Sequence, residues 1–236
     1  MESNVKKTTV RQRVIIFAIA LILLGSTIAT YAFVVLSASQ NTARSAENNA
    51  KLTEVEEEYT AIQTEMNDYA KNLSEKYYNT FYEYRKDVKS YNAATVNSGG
   101  LTTKDLKTGN GKELKSGDTD YFAYYIGFCA DEKIFDSSFD NYDNPTRLSV
   151  PIYANEGLIE GWNQGIVGMK INGVREISIP AELAYKEQEI CGGSNSPLKF
   201  IVMPIMDNEL KAKVEKKDEV YSRLIELYYG SGNSAQ

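Results

Sequence analysis

The chain of 236 residues contains no histidine. That absence removes the commonest general base, the Ser-His-Asp and Cys-His arrangements, and most zinc sites. Cysteine is almost as scarce: Cys129 and Cys191 are the two there are, too few to hold zinc without histidine. The sequence therefore implies no metal and no cofactor, and leaves proton chemistry to carboxylates, tyrosines and lysines. A basic excess is missing as well. The net charge of −6 argues against nucleic acid as a partner. Proline and glycine are both absent from residues 38–96. Tryptophan occurs once, as Trp162, inside the glycine-crowded stretch NEGLIEGWNQGIVGM, residues 155–169.

Tyrosine, in contrast, is plentiful. The 17 tyrosines sit within an aromatic content of 11 %, enough for a sizeable core in one or two domains. Residues 1–13 carry Lys6, Lys7, Arg11 and Arg13 against Glu2, and residues 14–36, VIIFAIALILLGSTIATYAFVVL, carry no charge. About 20 apolar residues match the hydrocarbon thickness of a bilayer, and the basic flank belongs on the cytoplasmic side. The expectation is a basic cytoplasmic N-terminus at 1–13, a transmembrane anchor at 14–36 in contact with the lipid bilayer, and everything beyond outside. A cleaved signal peptide competes with this reading. Its apolar core is usually about 7–15 residues, shorter than the run here, but LSAS at 36–39 offers small residues to a peptidase. The chain ends without a retention signal, which points to a single-pass protein of a bacterial cell membrane.

In residues 37–97 apolar side chains recur at Leu52, Val55, Tyr59, Ile62, Met66, Tyr69 and Leu73, then at Tyr77, Phe81, Tyr84, Val88 and Tyr91. Steps of three and four make a heptad seam, and the extra step of four after Leu73 is a stutter. This predicts a long amphipathic helix, either packed on another helix of its own chain or paired in a coiled-coil homodimer. NSGG at 97–100 ends it. Residues 98–210 change to short apolar runs cut by turns. DYFAYYIGF, REISIP and KFIVMPIM read as strands, and IEGWNQGIVGM as one short helix of about two turns between glycines. From Asn208 the chain returns to helix, with Leu210, Val214, Tyr221, Leu224 and Tyr228 broadly on one face, and residues 211–236 form a C-terminal helix and frayed tail. That helix either lies back along the first or extends away.

Tyr125, Phe135, Trp162, Tyr185 and Phe200 come from separate elements and can converge as aromatic walls, the usual form of a small-molecule or peptide site. For strand residues such as Tyr125 and Phe200, plain core packing is the alternative. Four pieces in order carry more. YYIGF (124–128), KIFDSS (133–138), LIEGWNQGIVGMKINGVREISIPAELAY (158–185) and LKFIVMPI (198–205) together resemble the FKBP family of peptidyl-prolyl cis-trans isomerases. The resemblance implies an α+β fold, a curved antiparallel sheet of five or six strands wrapped on a short helix.

It also implies a site. Trp162 floors a proline pocket walled by Tyr125, Phe135 and Phe200, with Leu158 and Ile159 as the rim. The Ile159 N–H bonds a ligand carbonyl and Tyr185 offers its hydroxyl. Asp136 either stabilises the twisting amide or ties down a tyrosine hydroxyl such as that of Tyr125. Ile190 is the one large apolar candidate to cover the pocket. Three departures stand out: Thr146 where an aromatic wall is common, a short loop from Lys186 to Pro197, and Gly157 in place of a polar side chain. In the family fold Cys129 and Cys191 fall on one side of the pocket, so a disulfide between them competes with two free thiols.

The expected function is a membrane-anchored rotamase and folding helper for proline-containing extracytoplasmic clients, with macrolide-type ligands as further partners. The alternative is an FKBP-like binding or scaffold module with little turnover. A purely structural coiled-coil surface protein leaves the ordered pocket residues unexplained.

Overall fold

The computed structural model describes the backbone of residues 10–154 and 157–230 and the side chains of residues 46–154 and 157–228. Helix α1 runs Val10–Tyr82. It contains no proline and Gly25 is its only glycine, so nothing local interrupts it. The 14–36 run falls within α1, but its side chains lie outside the described residues, and with them the anchor assignment. Among the described residues no helix is long and apolar enough to cross a membrane.

The helix stops earlier than the apolar stripe predicts. After Tyr82 come a 3-10 turn, Glu83–Asp87, an extended stretch, and helix α2, Ala93–Gly99, whose first turn is capped by the Asn92 side chain accepting from Thr95 N–H at 2.9 Å. Tyr91 explains the break. Its N–H donates to Ala130 O at 3.0 Å, and its hydroxyl reaches Phe128 O at 3.2 Å and Pro197 O at 2.9 Å. Those bonds need the backbone pulled away from a helical path. A stripe in sequence cannot distinguish a side chain that packs along a helix from one that anchors the segment after it.

Six strands follow: β1 (Thr102–Lys107), β2 (Phe122–Phe128), β3 (Ile134–Ser137), β4 (Ile152–Tyr153), β5 (Val174–Ile179) and β6 (Leu198–Ile205). They pair antiparallel in the order β1-β5-β6-β2-β3, with β4 also on β2. Helix α3, Glu160–Gly165, lies against β5. It is shorter than two full turns, and its contact needs bare backbone. A Cβ on Gly161 would sit 2.2 Å from Ile179 Cγ2, and one on Gly165 would sit 2.4 Å from Ile177 Cγ2.

Strand β2 is buried on both faces, which a single covering helix would not require. Alternation sends Tyr121, Ala123 and Tyr125 toward the α3 side and Phe122, Tyr124, Ile126 and Phe128 the other way. That second face is covered by α1. Tyr77 and Phe81 lie 5.9 and 6.3 Å from the Tyr124 ring, and Phe81 stacks on Phe139 at 5.7 Å. Ser74, 3 % exposed, accepts from Leu148 N–H at 2.7 Å. The seam residues Ile62, Met66, Leu73, Tyr77 and Phe81, with Ala70, are therefore buried inside one chain. They are not a free coiled-coil surface. The larger compact unit spans Tyr59–Val220 and so takes in part of α1 as well as residues 98–210.

Helix α4, Asn208–Gly230, buries Leu210, Val214 and Val220. In the larger unit Lys213 pairs with Glu65 at 3.5 Å and Tyr69 donates to Asp207 at 2.9 Å. In the smaller unit Arg223 pairs with Glu58 at 3.0 Å and the Tyr228 hydroxyl donates to Glu56 at 2.5 Å. The tail helix thus lies back along α1. Tyr221 and Tyr228, which the sequence places on its apolar face, are 49 % and 51 % exposed.

Candidate active site

The inner face of the sheet gathers a ring cluster around Trp162. Tyr125, central in β2, meets the indole edge-on at 5.6 Å. Phe200, from β6, meets it edge-on at 5.5 Å, and Phe135, from β3, meets Phe200 at 5.5 Å. Edge-to-face contacts at these distances suit the quadrupoles of the rings. Gly127 makes the arrangement possible, because a Cβ there would fall 2.6 Å from Phe135 Cζ and 2.9 Å from Phe200 Cε1. Leu158, Ile159, Tyr185 and Ile190 are half-buried and pack on the same cluster.

Trp162 itself is only 2 % exposed. Its Nε1–H donates to the hydroxyl of Tyr121 at 3.1 Å, which satisfies the buried donor and fixes the tilt of the ring. Burial pushes the Tyr121 hydroxyl pKa up, opposed by the indole N–H. Sequence reasoning does not single out Tyr121. Its one signal is the Tyr121, Ala123, Tyr125 alternation, which sets it on the same face as Tyr125.

Asp136 is exposed at the mouth and accepts the Tyr125 hydroxyl at 2.5 Å. Burial, and then this carboxylate, push the Tyr125 pKa well above the ordinary 10.0. Tyr125 stays a neutral donor over the physiological range. Ser138, 4 % exposed, braces the pair: its Oγ accepts from Tyr125 N–H at 2.9 Å, and its own N–H donates to Tyr125 O at 2.9 Å. Burial and the Asp136 charge also raise the Tyr185 pKa. The Tyr185 hydroxyl and the Ile159 N–H make no hydrogen bond among the described residues.

A Cys129–Cys191 disulfide, with Cα atoms 5.6 Å apart, joins the end of β2 to the loop after β5. Cys191 and Gly192, at φ of 60° and 80°, form a tight turn in which Ile190 and Gly193 exchange backbone bonds of 3.1 and 3.3 Å. Ser196 Oγ donates to Ile190 O at 2.8 Å. The loop is short, and its apolar tip is tied three ways. Thr146 builds no wall. Its hydroxyl donates to Asp140 at 2.5 Å, within an exposed turn. Burial opposes the ionisation of Asp140, but the bonds from Thr146, Arg147 and Asn141 hold its pKa at about 2.

The exit of α3 is held by Arg175, 7 % exposed on β5. One guanidinium nitrogen donates to Gly165 O and Val167 O, both at 2.9 Å, and the others reach Asp105 on β1 at 2.6 and 3.1 Å. Nothing in REISIP announces this. An arginine alternating with Glu176 in a strand reads as solvent-facing.

Comparison with known proteins bears on what this cluster is. The model of the FKBP-type peptidyl-prolyl cis-trans isomerase family matches residues 111–203. An FK506-binding protein of Streptomyces anulatus is 37 % identical over 99 residues, which are 41 % of this chain and 75 % of that one. The chain belongs to the FKBP-type peptidyl-prolyl cis-trans isomerase family. A second FK506-binding protein, from Neisseria meningitidis serogroup B, is 38 % identical over 88 residues, 37 % of this chain and 75 % of its own. FK506-binding protein 4 of Gibberella zeae is 36 % identical over 138 residues, 57 % of this chain; the chain spans 26 % of that relative's length. The FKBP match begins after β1 and ends within β6. The Tyr91 anchor and the α1 seam therefore lie outside it, while Trp162, Tyr125, Phe135, Asp136, Tyr185 and Phe200 lie within.

Proposed function

We propose that the chain catalyses cis–trans isomerisation of X-Pro bonds in extracytoplasmic polypeptides, held at a bacterial cell membrane by residues 14–36 with the N-terminus inside. One observation carries the catalytic part. Five rings from β2, β3, α3, β6 and the loop after β5 converge beside two donors, the Ile159 N–H and the Tyr185 hydroxyl, that make no hydrogen bond among the described residues.

The reaction breaks no σ-bond. Its barrier of about 18–20 kcal/mol is lost amide resonance, and each 1.36 kcal/mol removed is about tenfold in rate. A dry site lowers that barrier, because the planar amide is the more polar form and is less well solvated there. In this reading the proline ring sits over Trp162 between Tyr125, Phe135 and Phe200, with Leu158 and Ile159 as rim and Ile190 above. The Ile159 N–H holds a substrate carbonyl, and Tyr185 donates to the chain. Asp136 fixes the Tyr125 ring and biases the field at the mouth. The reaction requires no proton transfer, which suits a chain without histidine. Macrolide-type ligands would enter the same pocket, on a side left open by Thr146.

The anchor rests on the uncharged length of 14–36 and the four basic residues before it. A homodimer through α1 loses its main support, since the seam residues Ile62, Met66, Leu73, Tyr77 and Phe81 are already buried. The short, tied loop from Lys186 to Pro197, and Thr146 turned onto Asp140 where a wall is common, favour the second reading, a binding module with little turnover. Relaxation of a cis X-Pro peptide measured with the full-length chain decides between them. Acceleration lost in Trp162→Ala and reduced in Asp136→Ala supports the isomerase. No acceleration with several residues before proline rejects it.

A further inference from the structure

Two concavities beside the ring cluster have Tyr142 in common. The nearer shares Phe135 and Asp136 with the candidate site and continues along Glu132, Phe139, Tyr142 and Asp143. The farther is lined by Tyr82, Glu83, Arg85, Lys86 and Tyr142. Because Tyr142 lines both, they adjoin there as a trough beside the candidate site, and the farther part is walled by Tyr82 at the end of α1 and by the turn after it, outside the residues the family matches.

The base of the trough is built from interlocked groups. Phe139, 5 % exposed, meets Tyr142 at 6.2 Å and Tyr82 at 6.3 Å, both edge-on. The Arg85 guanidinium lies 4.6 Å from the Tyr142 ring and 5.0 Å from the Tyr82 ring, and it donates to the Tyr142 carbonyl. Its charge is thereby committed to holding the two rings. Tyr82 stays 41 % exposed, which is high for a large aromatic. The charges along the nearer half are unbalanced. Glu132, Asp136 and Asp143 face Lys133 as the cation of that stretch. Asp140 is internally satisfied by its own turn, with Arg147 3.7 Å away. In the farther half Lys86 offsets Glu83, so the acidic excess belongs to the nearer half, beside the candidate site. An acidic, aromatic-floored surface there is complementary to a chain bearing cations.

We propose that this trough receives the client chain flanking the proline and selects flanks that carry lysine or arginine. The inference rests on the isomerase reading and adds a substrate class to it. The test uses the full-length chain and three peptides with one X-Pro core: the core alone, the core with lysine-bearing flanks, and the core with glutamate-bearing flanks. At low salt the lysine peptide is turned over with kcat/KM about tenfold above the glutamate peptide, and the gap closes to about twofold or less in high salt. Tyr142→Ser combined with Asp143→Asn removes the preference while the core peptide is processed as before. Equal rates for the two flanked peptides, or a preference that survives the double variant, would overturn the trough. If even the core peptide is not turned over, the isomerase reading fails instead. Fluorescence anisotropy of the labelled flanked peptides then decides the trough by Kd: a lysine preference sensitive to the double variant upholds it, and equal affinities sink it.

Discussion

Asp105→Ala should destabilise the chain at least as much as Arg175→Met, although Asp105 is the exposed partner. The Asp105 side chain is 53 % exposed and that of Arg175 is 8 % exposed. Replacing the arginine with methionine keeps much of the apolar stem. Asp105 returns to water at little cost, and two carbonyls at the exit of α3 lose their donor, at about 1 kcal/mol each. The sum is about 2 kcal/mol. Removing Asp105 instead leaves a buried guanidinium with half its bonds gone. Breaking a buried pair in this way costs about 3–5 kcal/mol, and the two remaining carbonyl bonds put this case near about 3 kcal/mol. In the double variant no charge is stranded, so the cost should fall back to that of Arg175→Met alone. Urea unfolding followed through Trp162 fluorescence gives all four corners of the cycle, and unchanged m-values would license the comparison. If Asp105→Ala costs under about 0.5 kcal/mol, or the two single effects add, the account of Arg175 as a buried cation shared between β1 and α3 is wrong.

Two further outcomes can be measured on the same chain. The Cys129–Cys191 bond spans a sequence separation of 62, which corresponds to about 4 kcal/mol of loop-closure entropy. Tyr91 already ties Phe128 to Pro197, so the measured loss on reduction should be smaller; an unfolding midpoint unmoved by reductant, with Cys129→Ser/Cys191→Ser as control, would count against any staple. Burial raises the pKa of Tyr91, Tyr124 and Tyr125, and carries Tyr69, beside Asp207, up to about 12. A folded pKa above the unfolded value means this stability is complete below about pH 10 and is lost as pH rises through the folded values. A spectrophotometric titration should show these phenols ionising only as the fold is lost; free, reversible ionisation of all 17 tyrosines near their ordinary pKa would contradict it.

The sequence was most legible where chemistry and period agree. DYFAYYIGF, REISIP and KFIVMPIM have strand composition bounded by turn residues, and they form β2, β5 and β6. The glycines around Trp162 announce a close approach, and Gly161 and Gly165 make it. Legibility failed where one pattern serves two geometries. Tyr77 and Phe81 fit a dimer seam and a sheet-covering face equally well, and only the fold shows Tyr124 waiting opposite them. Ala70 drops out of a seam read from large residues, yet it is 4 % exposed because its neighbours close over it. Within the site, the rings were readable one by one. The Tyr121 bond to Trp162, the Ser138 brace and the Arg175 clamp join residues far apart in the chain or disguised by strand alternation, and no local signal marks them.

The strand order carries a consequence for how the chain is made. β6, the last strand, lies between β5 and β2, so the centre of the sheet is supplied by residues 198–205. Until that segment is synthesised, β2 lacks the partner that pairs along its whole length, and Tyr124 has no sheet in which to receive Tyr77 and Phe81. Closing such a non-local pairing is slow relative to helix formation. Nascent chains would therefore carry a formed helix with a bare apolar stripe while the rest stays pliable enough to be threaded. A protein proposed to assist the folding of others would, by its own topology, close its sheet only after residues 198–205 have been made.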